Sequence, residues 1–157
     1  MSFILTSGAV LRLLAANRSD PITEWIEKDR IRPYIATATM AQALDSIRMS
    51  GAVKVAERKT FERRYQGLVL DLQSDSRKSV LSAVFDYKSC EILADLLGVE
   101  VSVDEIGEMD LIPAAIAIQH NLELVVTQNV EAWKRFAAAL PAETGRLALH
   151  TFPGATE

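Results

Sequence analysis

The sequence predicts an α/β fold, a three-layer α/β/α sandwich around a central, mainly parallel sheet. Short aliphatic runs alternate along the chain with longer segments whose apolar residues recur at helical spacing. Leu124, Val125 and Val126 are apolar at consecutive positions, as in strands that are covered on both faces. Strands that alternate with helices pair in parallel through right-handed crossovers. We therefore expect a single domain over residues 1–157.

The amino-terminal half of the chain contains two clear helix starts. Thr6 or Ser7 can cap a helix after the first apolar run, and Asp20 precedes Pro21 in the pattern of a cap followed by a first-turn proline. With the apolar spacing, these signals predict a strand at 3–5 followed by a helix, a helix over 21–29, a strand at 34–36, and helices over 38–50 and 52–73.

The carboxyl-terminal half repeats the alternation of strands and helices. Gly98 is a typical residue after a helix end, and Pro113 fits the first turn of a helix that begins near 109–112. The predicted elements are a strand within 79–85, a helix over 86–97, an acidic connection over 99–107, a helix ending near 120, a strand at 122–126, a helix over 130–140 and a strand over 147–152.

The composition is that of a compact globular domain, with 49% hydrophobic and 24% charged residues. No apolar run reaches the roughly 18 to 20 residues of a membrane span, so we expect a cytoplasmic protein without membrane contact. A net charge of −4 is unfavourable for a uniformly basic nucleic-acid-binding surface. The single cysteine, Cys90, excludes an internal disulfide and a cysteine-based zinc site, and its aliphatic neighbours predict a core position.

Asp110 is the acidic residue that the predicted elements place at a possible active site. It precedes an apolar helix, and Thr127-Gln128-Asn129 lie just past the carboxyl end of the strand that follows this helix. Open α/β sheets bind ligands beyond the carboxyl ends of their strands, so Asp110 and Asn129 belong to one predicted active-site edge. The alternative is that Asp110 only stabilises the helix start through capping and the helix dipole.

A basic helix face is the second candidate for ligand contact. Five cations lie within eleven residues, and such a face can contact the phosphates of RNA. The alternative is a solvated surface in which Glu57 and Glu62 dilute the positive charge. The five residues are Lys54, Arg58, Lys59, Arg63 and Arg64.

Four segments together resemble the PIN-domain family, and within it the VapC-type and FitB-type toxins of bacterial toxin–antitoxin pairs. FILTSGAVLRLLA is similar to the family's opening strand and helix, and YIATATMAQALDSI to its second strand and following helix. EMDLIPAAIAIQHNLELVVTQNVEAW and LALHTFP are similar to the late helix–strand unit and to the closing strand. The combination covers nearly the whole chain and implies a single PIN-like domain over residues 1–157.

The resemblance implies a metal-dependent endoribonuclease in which acids from distant segments meet at the carboxyl edge of the sheet. Carboxylates suit this role because Mg²⁺ and Mn²⁺ prefer hard oxygen ligands. The positions that match the family's acids are Thr6, Gln42, Asp110 and Asn129, and only Asp110 is itself an acid. The resemblance therefore implies Asp110 as the metal ligand, and RNA, an antitoxin protein and a second copy of the chain as partners.

The three missing acids leave two functions open. The first is a toxin-like endoribonuclease with weak or lost activity, for which Asp45 or Glu108 could serve as a replacement acid. The second is a catalytically inactive PIN-like module that binds RNA or protein and needs no cofactor. Neither His120 nor His150 has an evident partner that would mark it as a catalytic base.

Overall fold

The computed structural model describes residues 1–15, 19–49, 55–74, 80–99 and 103–152. Its strands are β1 (Phe3–Leu5), β2 (Tyr34–Ala36), β3 (Leu81–Ala83), β4 (Glu123–Val125) and β5 (Ala148–His150). They form one parallel sheet in the order β3-β2-β1-β4-β5. The predicted α/β fold with a central parallel sheet is thus confirmed.

The helices lie where the periodicity predicts them, apart from small shifts at their ends. They are α1 (Ser7–Ala15), α2 (Pro21–Lys28), α3 (Thr37–Met49), α4 (Val55–Gln73), α5 (Tyr87–Leu97), α6 (Val103–Ile106), α7 (Leu111–His120) and α8 (Val130–Ala139). A 3-10 turn over Glu108–Asp110 leads into α7. The segment 99–107, predicted as an acidic connection, contains α6. Within the described ranges, no helix combines the length and apolar character needed to cross a membrane.

Consecutive strand residues point to opposite faces of the sheet, and helices cover both faces. Ile4 and Leu124 belong to the core under α5, α7 and α8. Leu5 and Val125 belong to the core under α1, α2, α3 and α4. All four side chains are fully buried. This two-sided burial explains the uninterrupted apolar runs and produces the three layers.

The carboxyl ends of β1 and β4 form the topological switch point of the sheet. β1 pairs with β2 on one side and with β4 on the other. The connections after these two strands leave in opposite directions, and a crevice opens between them. Thr6 directly follows β1, and Val126 and Thr127 directly follow β4, so this crevice is where the predicted active-site edge lies.

Cys90 is exposed on the outer side of α5, so its predicted core position is wrong. The buried face of this helix consists of Ser89, Ile92 and Leu96. A buried serine is accommodated there because its backbone N–H and hydroxyl both donate to the Asp86 carboxylate, over 3.0 and 3.1 Å. That polar anchor sets the rotation of α5 and turns the cysteine outward.

Asp86 also joins α5 to α7. Its Oδ2 accepts a hydrogen bond of 3.0 Å from Gln119 Nε2, in addition to the two bonds from Ser89 to Oδ1. The Ser89 backbone N–H first, and then the Gln119 amide, lower the pKa of Asp86 below its ordinary value of 3.8. The ionised carboxylate therefore stabilises the contact between these two helices.

We expect the D86N variant to be less stable than the parent at neutral pH, with a difference that disappears in acid. A lowered native-state pKa adds stability above the unfolded-state pKa, and this stability is lost as the pH falls through the native-state value. Thermal unfolding of both proteins from neutral pH to below the ordinary value of 3.8 tests this. D95N, on the exposed side of the same helix, is the control. A difference that stays constant with pH would contradict the electrostatic role of Asp86.

Candidate active site

A cavity of about 170 Å³ lies at the switch point of the sheet. Its wall combines the start of α1, the middle of α3, the segment before α7 and the turn before α8. The lining residues are Thr6, Ser7, Gly8, Leu11, Gln42, Ser46, Ile106, Asp110, Gln128, Asn129 and Trp133. The structure thus brings together the four positions that match the PIN-family acids. Their catalytic role stays a prediction.

Ser7 binds both carboxylate oxygens of Asp110. The Ser7 backbone N–H donates to Oδ1 over 2.9 Å, and the Ser7 hydroxyl donates to Oδ2 over 2.8 Å. We call this arrangement the Ser7–Asp110 pair. Within the described part of the chain, the Asp110 side chain makes no capping bond to α7. The carboxylate therefore links two helices that are distant in sequence, and the predicted side-chain cap of α7 is wrong.

Burial raises the pKa of Asp110, and the two hydrogen bonds from Ser7 act in the opposite direction. The residue is 7% exposed, so its charged form loses most of its contact with water. The Ser7 donors compensate for part of this loss and favour the carboxylate. Desolvation remains the larger effect, because the pKa is raised overall.

Thr6 connects the ends of the two central strands. Its hydroxyl donates to the Val125 carbonyl oxygen over 2.8 Å and accepts a weak bond of 3.4 Å from the Ala9 N–H. The second contact makes Thr6 the cap of α1, as predicted. Thr6 is buried, and its oxygen is already part of this link between β1 and β4.

The two amide side chains of the cavity have different surroundings. Asn129 Nδ2 donates to the Glu105 carbonyl oxygen over 2.7 Å and so ties α8 to α6. Asn129 has a positive φ of 53°, a conformation that asparagine tolerates better than most residues. Gln42 Oε1, by contrast, is buried and accepts no hydrogen bond from the described residues.

Gly8 is a lining residue that the sequence analysis did not identify. A Cβ atom at this position would lie 3.3 Å from Thr127 Oγ1 and from the side chain of Gln128. Glycine allows α1 to begin this close to the segment after β4, which keeps the cavity narrow. A glycine directly after a strand and a serine is the signal that could have revealed this close approach.

The side chains of this cavity do not fit Mg²⁺ or Mn²⁺. Asp110 is the one carboxylate that the described residues contribute, and each of its oxygens already accepts a bond from Ser7. Asp45 and Glu108 are exposed and do not line the cavity. No group of three or more His, Cys, Asp or Glu in the described ranges is placed to hold a metal. Neutral hydroxyls and amides offset too little of a divalent charge.

The predicted basic face lies apart from this cavity. Arg58, Lys59, Arg63 and Arg64 are all on α4, and none of them lines the cavity. Arg64 Nη1 donates to the Leu14 carbonyl oxygen over 2.6 Å, at the end of α1 that is opposite to Ser7. Lys54 lies outside the described residues. Contact between this face and RNA stays a prediction.

Comparisons with known proteins show that the fold is similar to those of two solved structures. No family model matches the chain, and no curated protein matches its sequence. A chain of VapBC2 from Rickettsia felis, in a crystal structure with a promoter DNA fragment, superposes with a TM-score of 0.62 at 18% identity, covering 97% of this chain and 99% of that one. A chain of FitAB bound to an IR36 DNA fragment superposes with a TM-score of 0.59 at 15% identity. This similarity covers 95% of this chain and 94% of the FitAB chain.

At these identities the similarity shows the fold alone. The chain therefore has a parallel α/β fold of the kind found in the VapBC2 and FitAB toxin–antitoxin complexes. This agrees with the PIN-like fold that the sequence segments resemble.

Proposed function

We propose that the chain is a PIN-like protein of the toxin type, whose endoribonuclease activity is weak or lost and whose partner is an antitoxin-like protein. The fold shared with chains of VapBC2 and FitAB supports the class. The observation that carries the loss of activity is the Ser7–Asp110 pair. The one carboxylate of the cavity wall accepts bonds from both Ser7 donors, and Asp110 is the one acid among the described residues that line the cavity.

The chemistry of phosphodiester cleavage explains why this observation matters. Cleavage requires a group that activates water and positive charge that stabilises the phosphate in the transition state. Several carboxylates that hold a divalent cation supply both. A single buried carboxylate supplies no positive charge, and Thr6 and Gln42 add no negative charge with which to hold a cation, because both are neutral and Thr6 is already bound to Val125.

The second candidate function is a PIN-like module that binds RNA or protein without catalysis. Gln42 Oε1 favours it, because a buried acceptor without a donor among the described residues costs free energy until a ligand donates to it. The cavity also offers hydroxyl groups from Ser7 and Ser46 and an amide from Gln128. Such neutral groups suit polar atoms of a nucleotide or of a protein side chain.

An RNA cleavage assay tests the proposed loss of activity. We expect the purified protein to cleave a fluorescent single-stranded RNA no faster in Mg²⁺ or Mn²⁺ than in chelator, and no faster than its D110A variant. Cleavage that requires metal and disappears in D110A would contradict the proposal. Co-purification with the product of a small neighbouring reading frame tests the antitoxin-like partner separately.

Measurements of RNA binding test the second candidate function, a PIN-like module that binds RNA without cleaving it. Fluorescence anisotropy with the same RNA measures affinity for the parent, for Q42A at the cavity and for K59E/R63E on α4. Binding that Q42A weakens supports a binding site in the cavity, whereas binding that only K59E/R63E weakens supports the basic face. Absence of binding by the parent rules out the RNA-binding module.

A further inference from the structure

A second cavity, of about 540 Å³, lies between the carboxyl ends of α5 and α8 and is lined by residues within the segments 94–99 and 139–144. We call it the α5–α8 cavity. Asn129, directly before α8, lines the candidate active site, whereas Ala139, at the other end of α8, lines the α5–α8 cavity. A helix of 10 residues is about 15 Å long, so the two cavities are separate. The volume lies in the range of about 300 to 1,000 Å³ that is common for small-molecule sites.

The α5–α8 cavity has a negative electrostatic character. The carboxyl end of a helix carries a partial negative charge, and neither α5 nor α8 has a basic residue in its last turn. The last turn of α5 instead contains Asp95, and Glu143 lies in the turn that follows α8. Neither carboxylate forms an ion pair with another described residue. Acids at the negative ends of two helices are unfavourable for the protein alone, and a bound cation would remove this repulsion.

Thr144 contributes an unpartnered hydroxyl to the wall of the same cavity. The residue is only 9% exposed, and its backbone N–H donates to the Pro141 carbonyl oxygen over 3.1 Å. Its side-chain hydroxyl has no hydrogen-bond partner among the described residues. Such a group costs free energy until a ligand binds it, and its oxygen can accept a hydrogen bond from an ammonium group. This observation points to a ligand with N–H donors, independently of the two acids.

The rest of the wall favours an organic cation over a metal ion. Its side chains are small and apolar, and they suit contact with methylene groups. They are Ala94, Val99, Ala139 and Pro141. A divalent metal needs a larger set of hard oxygen ligands, and no group of three or more His, Cys, Asp or Glu in the described ranges is placed to hold one.

We propose that the α5–α8 cavity binds a linear aliphatic polyamine, a chain of methylene groups with an ammonium group at each end. The two ammonium groups match the carboxylates of Asp95 and Glu143, and the Thr144 oxygen accepts one N–H. The methylene groups lie along the apolar wall. Exposed ion pairs each contribute little, so we expect a dissociation constant of roughly 0.1 to 1 mM. The inference does not depend on the proposed function, because it involves none of the residues of the candidate active site.

Calorimetric titration of spermidine at physiological ionic strength tests the site. We expect the parent to bind one spermidine per chain, D95N/E143Q to bind at least about tenfold more weakly, and T144V about three- to tenfold more weakly. E27Q/D45N is the matched control, since it changes the net charge equally at two exposed positions on α2 and α3, on the other face of the sheet. Absence of binding by the parent, or an equal loss of affinity in E27Q/D45N, would overturn the proposal.

A ligand series tests the chemical class. Diaminobutane and butylamine have the same methylene chain, but only the first has two ammonium groups. We expect diaminobutane to bind at least about tenfold more tightly, because it can pair with both carboxylates. Nα-acetyl-lysine amide is the third ligand and represents the lysine side chain of a protein. If it or butylamine binds as tightly as diaminobutane, the site does not select a polyamine and the assignment is wrong.

Melting temperatures show whether the variants fold and whether the ligand binds the folded state. Without ligand, D95N/E143Q should melt no lower than the parent, because it removes acids from the carboxyl ends of two helices. Spermidine should raise the melting temperature of the parent and of E27Q/D45N, since it binds the folded chain, and should raise that of D95N/E143Q much less. An equal rise in all three proteins would show diffuse attraction to the acidic surface and would contradict the site.

Discussion

The D110A variant is expected to lose about 2 kcal/mol of unfolding free energy, whereas D110N is expected to keep nearly all of it. Alanine leaves the Ser7 N–H and hydroxyl without acceptors, and a buried donor without a partner costs about 1 to 3 kcal/mol. D110A also removes a desolvated charge, and this recovers part of the lost unfolding free energy. Asparagine has the same shape as aspartate, and its oxygen can still accept the bond of 2.9 Å from the Ser7 N–H. Its NH₂ group can donate to the Ser7 oxygen, which is an acceptor as well as a donor.

The pH dependence of stability separates these variants further. Burial raises the pKa of Asp110 in the native state, so the protonated form is favoured on folding relative to the unfolded chain. This contribution is complete below the unfolded-state pKa and is lost as the pH rises through the raised native-state value. D110N carries no ionisable group at this position, so its stability does not fall as the pH rises through the raised native-state pKa of Asp110. We therefore expect D110N to gain stability relative to the parent as the pH rises through that range.

Denaturant unfolding of the parent, D110N and D110A at several pH values measures both effects. S7A is the matched variant on the other side of the pair, and it should lose about 1 to 3 kcal/mol because Asp110 Oδ2 loses its donor. Equal destabilisation by D110N and D110A would show that the charge itself is needed, and would contradict the description of the Ser7–Asp110 pair as a structural link.

The T6D/Q42E variant is expected to become dependent on a divalent cation. Thr6 donates its hydroxyl hydrogen to the Val125 carbonyl oxygen over 2.8 Å, and an ionised aspartate cannot donate there. Together with Asp110, the two new carboxylates also repel each other. We expect a loss of at least about 2 kcal/mol in chelator, with recovery when Mg²⁺ or Mn²⁺ binds the folded state.

Melting temperatures in chelator, Mg²⁺ and Mn²⁺ test this variant, with RNA cleavage followed in the same samples. T6V/Q42E is the control, because valine also removes the hydroxyl that donates to Val125 but adds one carboxylate fewer. A melting temperature of T6D/Q42E that metal shifts no more than that of the parent would show that these positions cannot form a metal site.

Much of the architecture follows from local patterns in the sequence. The two-sided burial of Leu124 and Val125 explains their uninterrupted apolar run, and the Asp20-Pro21 pattern marks the start of α2 correctly, with Asp20 accepting a bond from the Ile22 N–H. Thr6 and Asn129 converge because they follow parallel strands whose carboxyl ends share one edge of the sheet. The helix α3, which directly follows β2, and the segment before α7 bring Gln42 and Asp110 to the same edge.

The contacts that define the cavity chemistry could not be predicted in this way. Capping rules are local, and they gave Ser7 and Asp110 separate roles at two helix starts, although their side chains bind each other across 103 positions of sequence. The aliphatic neighbours of Cys90 predict a core position, whereas the Asp86 contact to Ser89 turns it outward. In both cases a polar contact determined the orientation, and hydrophobic periodicity carries no information about such contacts.

The central claim is that the carboxylate of this cavity is satisfied by Ser7 and does not hold a catalytic metal. Titration of Mn²⁺ into the parent, D110N and T6D/Q42E, followed by the water-proton relaxation of the bound ion, tests it most directly. We expect the parent to bind Mn²⁺ no better than D110N, and T6D/Q42E to bind one ion per chain. Stoichiometric Mn²⁺ binding by the parent that D110N abolishes would contradict the claim.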